Sequence, residues 1–296
     1  MSQPRPPAPD LQSSDIEALL TRLRSVAKFK ERSYTTSKNV HIPLLRQAQH
    51  DFRTGTGPGP VVCLVGDSMF ERMTTTGRTP NFVAPWPSPF MLDETTMSLA
   101  ADLDQRGRVF NAGVGGDRIQ NIAYRLAGTG EDAQRAPSDS SQEEGEGKAD
   151  DGCLPALLPL LASFTTIKLW VVQAGTNNMM PKKGLRDADR EALRVLLRTL
   201  LDVNPTGGEC RVLVTGLFYR RDLTRELVDK ANDKIRLVVD ELNEACGGER
   251  VAFLPACEEV NPDEHLEDHV HLTPEGYRLW TRKLAPAVLS LLTSSS

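Results

Sequence analysis

Cysteine is scarce and scattered in this chain of 296 residues. The five cysteines are odd in number and form no C-x-x-C pair; they are Cys63, Cys153, Cys210, Cys246 and Cys257. Disulfide-rich folds and cysteine-based zinc sites instead show cysteines at short, regular spacings. The pattern therefore excludes a disulfide framework and a cysteine-rich zinc site.

An excess of basic residues and a long apolar run are also absent. With 35 Lys and Arg against 40 Asp and Glu, the formal net charge is -5, and we expect no nucleic-acid partner because no basic stripe could neutralise a phosphate backbone. No window approaches the roughly 20 apolar residues that a membrane span requires. The N-terminus also lacks the apolar core of a signal peptide. We therefore expect a cytoplasmic protein with no membrane span.

Five short apolar runs indicate buried strands. They lie at 60–66, 107–113, 168–174, 210–216 and 250–255. Longer segments between them space their apolar residues as helices do, most clearly at 227–242. Because alternating strands and helices build a parallel sheet covered on both faces, the sequence predicts a three-layer α/β/α fold with a five-stranded parallel sheet.

The chain divides into an N-terminal extension and a main domain. Residues 1–57 contain one predicted amphipathic helix, and the main domain takes residues 58–296. Within that domain, 128–152 is acidic and nearly devoid of large apolar side chains, so it is predicted to be a disordered surface insertion. The segment 81–92, rich in Pro and aromatic residues, is interpreted either as a wall of a substrate pocket or as a core-packing segment.

Four polar clusters fall at or after the ends of the predicted strands, where open α/β sheets bind ligands. They are GDS at 66–68, NAGVGGD at 111–117, GTNN at 175–178 and DHVH at 268–271. Each has an ordinary structural explanation when taken alone. Serine caps helices, glycine allows turns with positive φ, asparagine bonds to nearby backbone, and a loop histidine is solvated. Their combination is what points to chemistry.

Ser68, Asp268 and His271 have the residue types of a catalytic triad. A serine hydroxyl becomes a nucleophile when a histidine accepts its proton and a carboxylate orients that histidine. Asp268 and His271 are three residues apart, just before a helix capped by Thr273, so one turn could supply both. The oxyanion formed on an ester carbonyl needs preorganised donors, and a backbone N–H in NAGVGGD and the side-chain amide of Asn177 are suitable.

The four motifs, in this order, resemble those of the SGNH (GDSL-type) hydrolase family and extend from residue 60 to about residue 292. Within it, GDSM, GGD and GTNN are most similar to catalytic subunits of the platelet-activating-factor acetylhydrolase type. The resemblance implies a flavodoxin-like fold that needs no cofactor or metal. It implies that Ser68 is the nucleophile, His271 its general base and Asp268 the residue that orients the base. It also implies an oxyanion hole made by the N–H groups of Ser68 and Gly116 and the side chain of Asn177.

By this resemblance, the protein is expected to be a serine esterase that hydrolyses a short-chain acyl or acetyl ester of a small molecule through an acyl-enzyme. An acyltransferase with the same triad and a non-catalytic binding scaffold are the alternatives, and the likeness is compatible with a homodimer. Asn178 departs from the family pattern, since many members have aspartate there, but the catalytic asparagine is the residue before it. The N-terminal helix and the 128–152 insertion lie outside the minimal family domain, so lid, partner and regulatory roles stay open for them.

Overall fold

The five predicted strands form one parallel sheet in the computed structural model, which describes residues 13–74, 108–129, 153–203 and 210–293. The strands are β1 (Val62–Gly66), β2 (Val109–Asn111), β3 (Leu169–Gln173), β4 (Arg211–Thr215) and β5 (Val251–Leu254). Their order across the sheet is β2-β1-β3-β4-β5, with Val62 of β1 paired to Val109 on one side and Leu169 on the other. This is the flavodoxin-like order, in which ligands bind at the switch point between β1 and β3.

Ten α-helices flank the strands within the described residues. They are α1 (Ser13–Arg24), α2 (Glu31–Thr36), α3 (Ile42–Thr54), α4 (Ser68–Thr74), α5 (Ile119–Ala127), α6 (Leu157–Ala162), α7 (Asp187–Asp202), α8 (Arg225–Cys246), α9 (Pro262–His265) and α10 (Pro274–Thr293). A turn of π-helix at Ser37–His41 joins α2 to α3, and a 3-10 turn at Thr176–Asn178 follows β3. The pattern at 227–242 thus lies within α8, as predicted.

Side chains of the strands alternate between two hydrophobic clusters, one on each face of the sheet. Cys63 and Val65 of β1 belong to the larger cluster, which contains buried residues of α1, α5, α7 and α8. Val62 and Leu64 belong to the smaller one, formed with α4 and α10. Because successive strand residues point to opposite faces, a strand that is apolar throughout must be covered on both sides. The predicted three-layer α/β/α fold is confirmed.

The N-terminal extension has three helices in its described part, so the prediction of a single helix in 1–57 is wrong. α1 corresponds to the predicted helix, and α2 and α3 follow it. α2 is only six residues long and α3 buries only Ile42 and Leu45, so neither presents the long apolar stripe that identifies a helix in sequence. Both residues, with Leu23 of α1, belong to the larger cluster, so the extension shares the core of the sheet.

Two sequence predictions concern residues that the structure does not describe. The predicted insertion at 128–152, except for Gly128 and Thr129, and the proposed pocket wall at 81–92 lie outside the described residues. The boundary at residue 58 stays a prediction. Among the described helices, none combines the length and the apolar character needed to cross a membrane.

Candidate active site

The turn from β1 into α4 presents Ser68 at the switch point of the sheet. Ser68 is the first residue of α4, but the capping bond comes from Asp67, whose buried carboxylate accepts the N–H of Met69 at 2.9 Å. The Ser68 hydroxyl is therefore not used as the cap. A Cβ at Gly66 would lie 2.5 Å from the carbonyl oxygen of Gln173 on β3, so the close approach of the two strands requires glycine there.

Ser68, His271 and Asp268 form a continuous chain of hydrogen bonds. Ser68 Oγ lies 2.9 Å from His271 Nε2, and His271 Nδ1 lies 2.7 Å from Asp268 Oδ2. The other carboxylate oxygen of Asp268 accepts the backbone N–H groups of Val270 and His271, both at 2.8 Å. The structure thus brings Ser68 into contact with a histidine that lies 203 positions later in the sequence.

The electrostatics of the triad suit a neutral base at neutral pH. Burial lowers the pKa of His271 below its usual 6.5, and the hydrogen bond to Asp268 opposes that shift only in part. Burial by itself would raise the pKa of Asp268, but hydrogen bonds from the ring and backbone of His271 and from the backbone of Val270 hold that pKa well below its usual range. Asp268 is therefore ionised whenever His271 is ready to accept a proton.

Arg221 holds the loop on which Asp268 and His271 lie, and sequence analysis did not single it out. Its guanidinium donates at 3.0 to 3.3 Å to four backbone carbonyls of that loop, those of Pro262, Asp263, Leu266 and Asp268. The loop is closed by a bridge between Leu266 and Leu272. The planar guanidinium, with its fixed fork of donors, suits this role. Arg221 therefore holds the segment that contains Asp268 and His271.

The two other predicted oxyanion donors lie on the neighbouring strand ends. Gly116 is in the turn after β2 and has φ +74°, which favours glycine. Asn177 is in the 3-10 turn after β3, where its Nδ2 donates to the carbonyl of Asp117 at 2.9 Å. The turn after β2 is tied to the nucleophile turn, since the N–H of Val114 donates to the carbonyl of Gly66. The turns that contain Gly116 and Asn177 therefore adjoin the turn that contains Ser68.

Asp67 connects the nucleophile turn to Asn177. Its Oδ2 lies 3.4 Å from Asn177 Nδ2. Burial raises the pKa of Asp67 to about 7, although hydrogen bonds from the Met69 N–H and the Thr176 hydroxyl oppose the shift. Sequence analysis quoted this aspartate only as part of the GDS motif, and the structure shows it as a buried support of both the helix and the amide.

A buried ion pair joins the ends of β1 and β2, and sequence analysis missed it. Arg125 of α5 is fully buried and its Nε donates to Asp117 Oδ2 at 2.7 Å. Its two terminal nitrogens donate to the carbonyls of Ala112, at 2.8 Å, and Gly66, at 3.2 Å. The available signal was a charged residue in the otherwise apolar stretch of α5, because a buried arginine implies a buried partner.

The N-terminal extension reaches the same ion pair. Ser33 Oγ donates to Asp117 Oδ1 at 2.5 Å, and Lys30 Nζ lies 3.5 Å from that oxygen. Lys30 Nζ also donates to the carbonyl oxygen of Gly115 at 2.9 Å. Nothing in the sequence pattern relates residues 30–33 to the second motif, because this contact depends on the tertiary fold.

Asn178 has a structural role that explains its departure from the family pattern. Its Oδ1 accepts the N–H of Ile119 at the start of α5, at 3.0 Å. Its Nδ2 donates to Gln120 Oε1 at 2.9 Å and to Asp189 Oδ1 at 2.8 Å. An aspartate would place a second carboxylate against Asp189, whereas asparagine can accept and donate at once. The residue lies outside the triad, as the motif alignment suggested.

Comparison with known proteins agrees with the motifs. The model of the GDSL-like Lipase/Acylhydrolase family matches residues 64–279, which include Ser68, Gly116, Asn177, Asp268 and His271. A search of curated proteins returned no match.

Several solved structures are similar to this chain. A family two carbohydrate esterase from Clostridium thermocellum, in complex with cellohexaose, is 14% identical with a TM-score of 0.45, and the alignment covers 80% of this chain and 66% of that one, just under two thirds. A carbohydrate acetylesterase family member from Sinorhizobium meliloti is 18% identical with a TM-score of 0.47, covering 79% and 99%. A Streptococcus pneumonia chain named after platelet activating factor is 14% identical with a TM-score of 0.43, covering 94% and 100%. Likeness at this level assigns no substrate.

Proposed function

Because this chain belongs to the GDSL-like lipase/acylhydrolase family of carboxylic ester hydrolases, we propose that it is a serine esterase acting through Ser68, His271 and Asp268. The observation that supports this most directly is the hydrogen-bonded chain of the three side chains, with 2.9 Å from Ser68 Oγ to His271 Nε2 and 2.7 Å from His271 Nδ1 to Asp268 Oδ2. These are the distances at which a base can take the serine proton and a carboxylate can orient the base.

In the proposed first half-reaction, Ser68 Oγ forms a bond to the ester carbonyl carbon while its proton passes to His271 Nε2. The ionised Asp268 stabilises the imidazolium that results. The negative charge on the carbonyl oxygen is bound by the N–H groups of Ser68 and Gly116 and by Asn177 Nδ2. When the tetrahedral intermediate collapses, the carbon–oxygen bond to the alcohol breaks and His271 returns its proton to the departing alkoxide.

The second half-reaction uses the same groups on water. His271, neutral again, takes a proton from a water molecule whose oxygen attacks the acyl carbon of the acyl-enzyme. The oxyanion of this second tetrahedral intermediate accepts hydrogen bonds from the same donors. Collapse then breaks the bond to Ser68 Oγ, which recovers its proton from His271, and the carboxylic acid leaves.

The proposed substrate is a small ester with a short acyl or acetyl group. This part of the proposal depends on the resemblance of the GDS, GGD and GTNN motifs to acetylhydrolase catalytic subunits, and not on a pocket in the described residues. Acyl length therefore needs a test separate from that of the triad, because walls of substrate pockets vary among proteins that share a fold.

The experiment is a series of p-nitrophenyl esters from acetate to octanoate, with wild type, Ser68→Ala and Ser25→Ala. Ser25 is an exposed serine on the N-terminal extension, and its hydroxyl donates to the nearby carbonyl of Arg22. Its variant controls for the removal of a serine hydroxyl. We expect Ser68→Ala to lower kcat/KM by roughly a thousandfold or more and wild type to prefer acetate. Equal rates for Ser68→Ala and wild type would exclude the triad, and a preference for octanoate would exclude only the short-chain substrate.

A further inference from the structure

The peptide unit between Gly115 and Gly116 contains one of the proposed oxyanion donors. Its N–H belongs to Gly116, and its carbonyl oxygen, on Gly115, accepts a hydrogen bond from Lys30 Nζ at 2.9 Å. A trans peptide is planar, so its C=O and N–H point in opposite directions. Fixing the carbonyl on the ammonium group of Lys30 therefore fixes the direction of the Gly116 N–H.

This peptide unit needs an external restraint because it lies between two glycines. Gly116 has a φ of +74°, a backbone conformation that residues with a side chain rarely adopt. A Cβ at Gly115 would lie 2.6 Å from Glu71 Oε2, so a larger residue there would require the Glu71 side chain to shift. Glycines on both sides permit rotation of the peptide at little steric cost. A rotated peptide would present the Gly115 carbonyl oxygen, a repelling group, where the oxyanion must bind.

Lys30 is held in place by groups that are themselves fixed. It occupies the N-cap position of α2, and its Nζ lies 3.5 Å from Asp117 Oδ1. Asp117 also pairs with the buried Arg125 and accepts from Ser33, so one carboxylate faces two cations. A charged donor makes a stronger bond than a neutral one, and hydrogen bonds in series polarise one another. The ammonium of Lys30 therefore also strengthens the Gly116 N–H as a donor.

We propose that Lys30 is a positioning residue that holds the Gly115–Gly116 peptide with its N–H towards the oxyanion, an inference that rests on the proposed esterase function. Lys30 precedes residue 64, where the family match begins, so this assigns a catalytic support to the N-terminal extension. The same segment reaches the second motif through Ser33, which makes the extension part of the active-site framework.

The first test compares Lys30→Met and Lys30→Arg with Lys28→Met. Lys28 is exposed, and the hydrogen bonds found for it in the described chain are made by its backbone N–H and carbonyl. Lys28→Met therefore removes the same charge two residues away. An oxyanion donor acts in the transition state and not in substrate binding. We therefore expect Lys30→Met to lower kcat by about 10- to 100-fold with KM within twofold of wild type, and Lys30→Arg to recover most of that loss. Unchanged kcat in folded Lys30→Met would overturn the proposal, as would a rise in KM alone.

The second test measures binding of a trifluoromethyl ketone. Ser68 Oγ adds to the carbonyl carbon of the ketone, the serine proton passes to His271, and the ketone oxygen becomes an oxyanion bound in the oxyanion hole. We expect its dissociation constant to rise at least tenfold in Lys30→Met and to stay unchanged in Lys28→Met. If Lys30→Met does not fold by thermal melting, Lys30→Gln takes its place with the same expectations. Equal affinity of wild type and the Lys30 variant for the ketone would overturn the role of Lys30 but not the esterase function. If wild type itself neither turns over esters nor forms the adduct, the esterase function fails, and the role of Lys30 with it.

Discussion

Replacing Arg125 by methionine should destabilise the protein by about 3–5 kcal/mol, because it leaves a buried carboxylate without its main cation. Arg125 and Asp117 are both fully buried, with Nε and Oδ2 2.7 Å apart. Methionine fills much of the volume of the arginine stem, so the main loss is electrostatic. Lys30 is 3.5 Å from the other carboxylate oxygen and partly exposed, so it compensates only in part.

Two backbone carbonyls each lose one hydrogen bond in this variant. The carbonyl oxygens of Ala112 and Gly66 accept from the Arg125 guanidinium at 2.8 and 3.2 Å. The Gly66 carbonyl still accepts the N–H of Val114, so the cost of about 1–3 kcal/mol for a buried acceptor that loses its partner applies to Ala112. Since domains are stable by about 5–15 kcal/mol, the variant should lose a large share of its stability.

Urea unfolding followed by circular dichroism measures the effect, with Arg198→Met as the matched control. Arg198 pairs with Asp202 at 3.0 Å, where both side chains are partly exposed and Asp202 also pairs with Arg22. Solvent-accessible pairs contribute about 0–1 kcal/mol, so this control should lose little stability. Adding Asp117→Asn to Arg125→Met should restore part of the loss, because the second change removes the unpaired charge. A loss below about 1 kcal/mol, or a double variant less stable than Arg125→Met, would refute the electrostatic account.

Two other predictions follow from the surroundings of the triad. The kcat/KM of wild type for p-nitrophenyl acetate should rise with pH through an ionisation centred below 6.5. Burial lowers the pKa of His271, and only the neutral ring accepts a proton. A midpoint above 6.5 in the pH–rate profile would contradict this. Asn178→Asp should lower the melting temperature more at pH 8 than at pH 4. The new buried carboxyl would lie beside Asp189, so its pKa should be raised in the folded state. The loss of folding stability therefore appears as the pH rises through that pKa. Equal losses at the two pH values, measured by differential scanning fluorimetry, would show that charge is not the cause.

The sheet could be predicted because its signal is local. Each strand is a short run that is apolar on both faces, and such runs between helical segments admit few arrangements. The triad was predictable for a different reason: the motifs fall at strand ends, and the ends of parallel strands meet at one edge. His271 lies within hydrogen-bond distance of both Ser68 and Asp268 in the structure, although the catalytic roles of the three stay a proposal.

The supporting residues could not be predicted because each depends on a contact between distant elements. Arg125 is recognisable only as a charge in an apolar helix until the fold places Asp117 beside it. α2 and α3 lack a long apolar stripe, so no sequence pattern indicates that Lys30 reaches the turn after β2. Arg221 follows β4, and only the loop packing shows that it binds four carbonyls.

These supports share one physical principle. Arg125 binds the carbonyls of Gly66 and Ala112, and Lys30 binds that of Gly115. Each bound carbonyl turns the N–H of the following residue the opposite way, since the peptide is planar. Of the two proposed backbone donors, Ser68 and Gly116, only the Gly116 N–H follows a carbonyl bound in this way, so the orientation of that donor depends on Lys30, a side chain that no motif contains. An esterase grafted from the motifs alone, without Lys30, should therefore keep its nucleophile and lose much of the oxyanion stabilisation that Gly116 supplies.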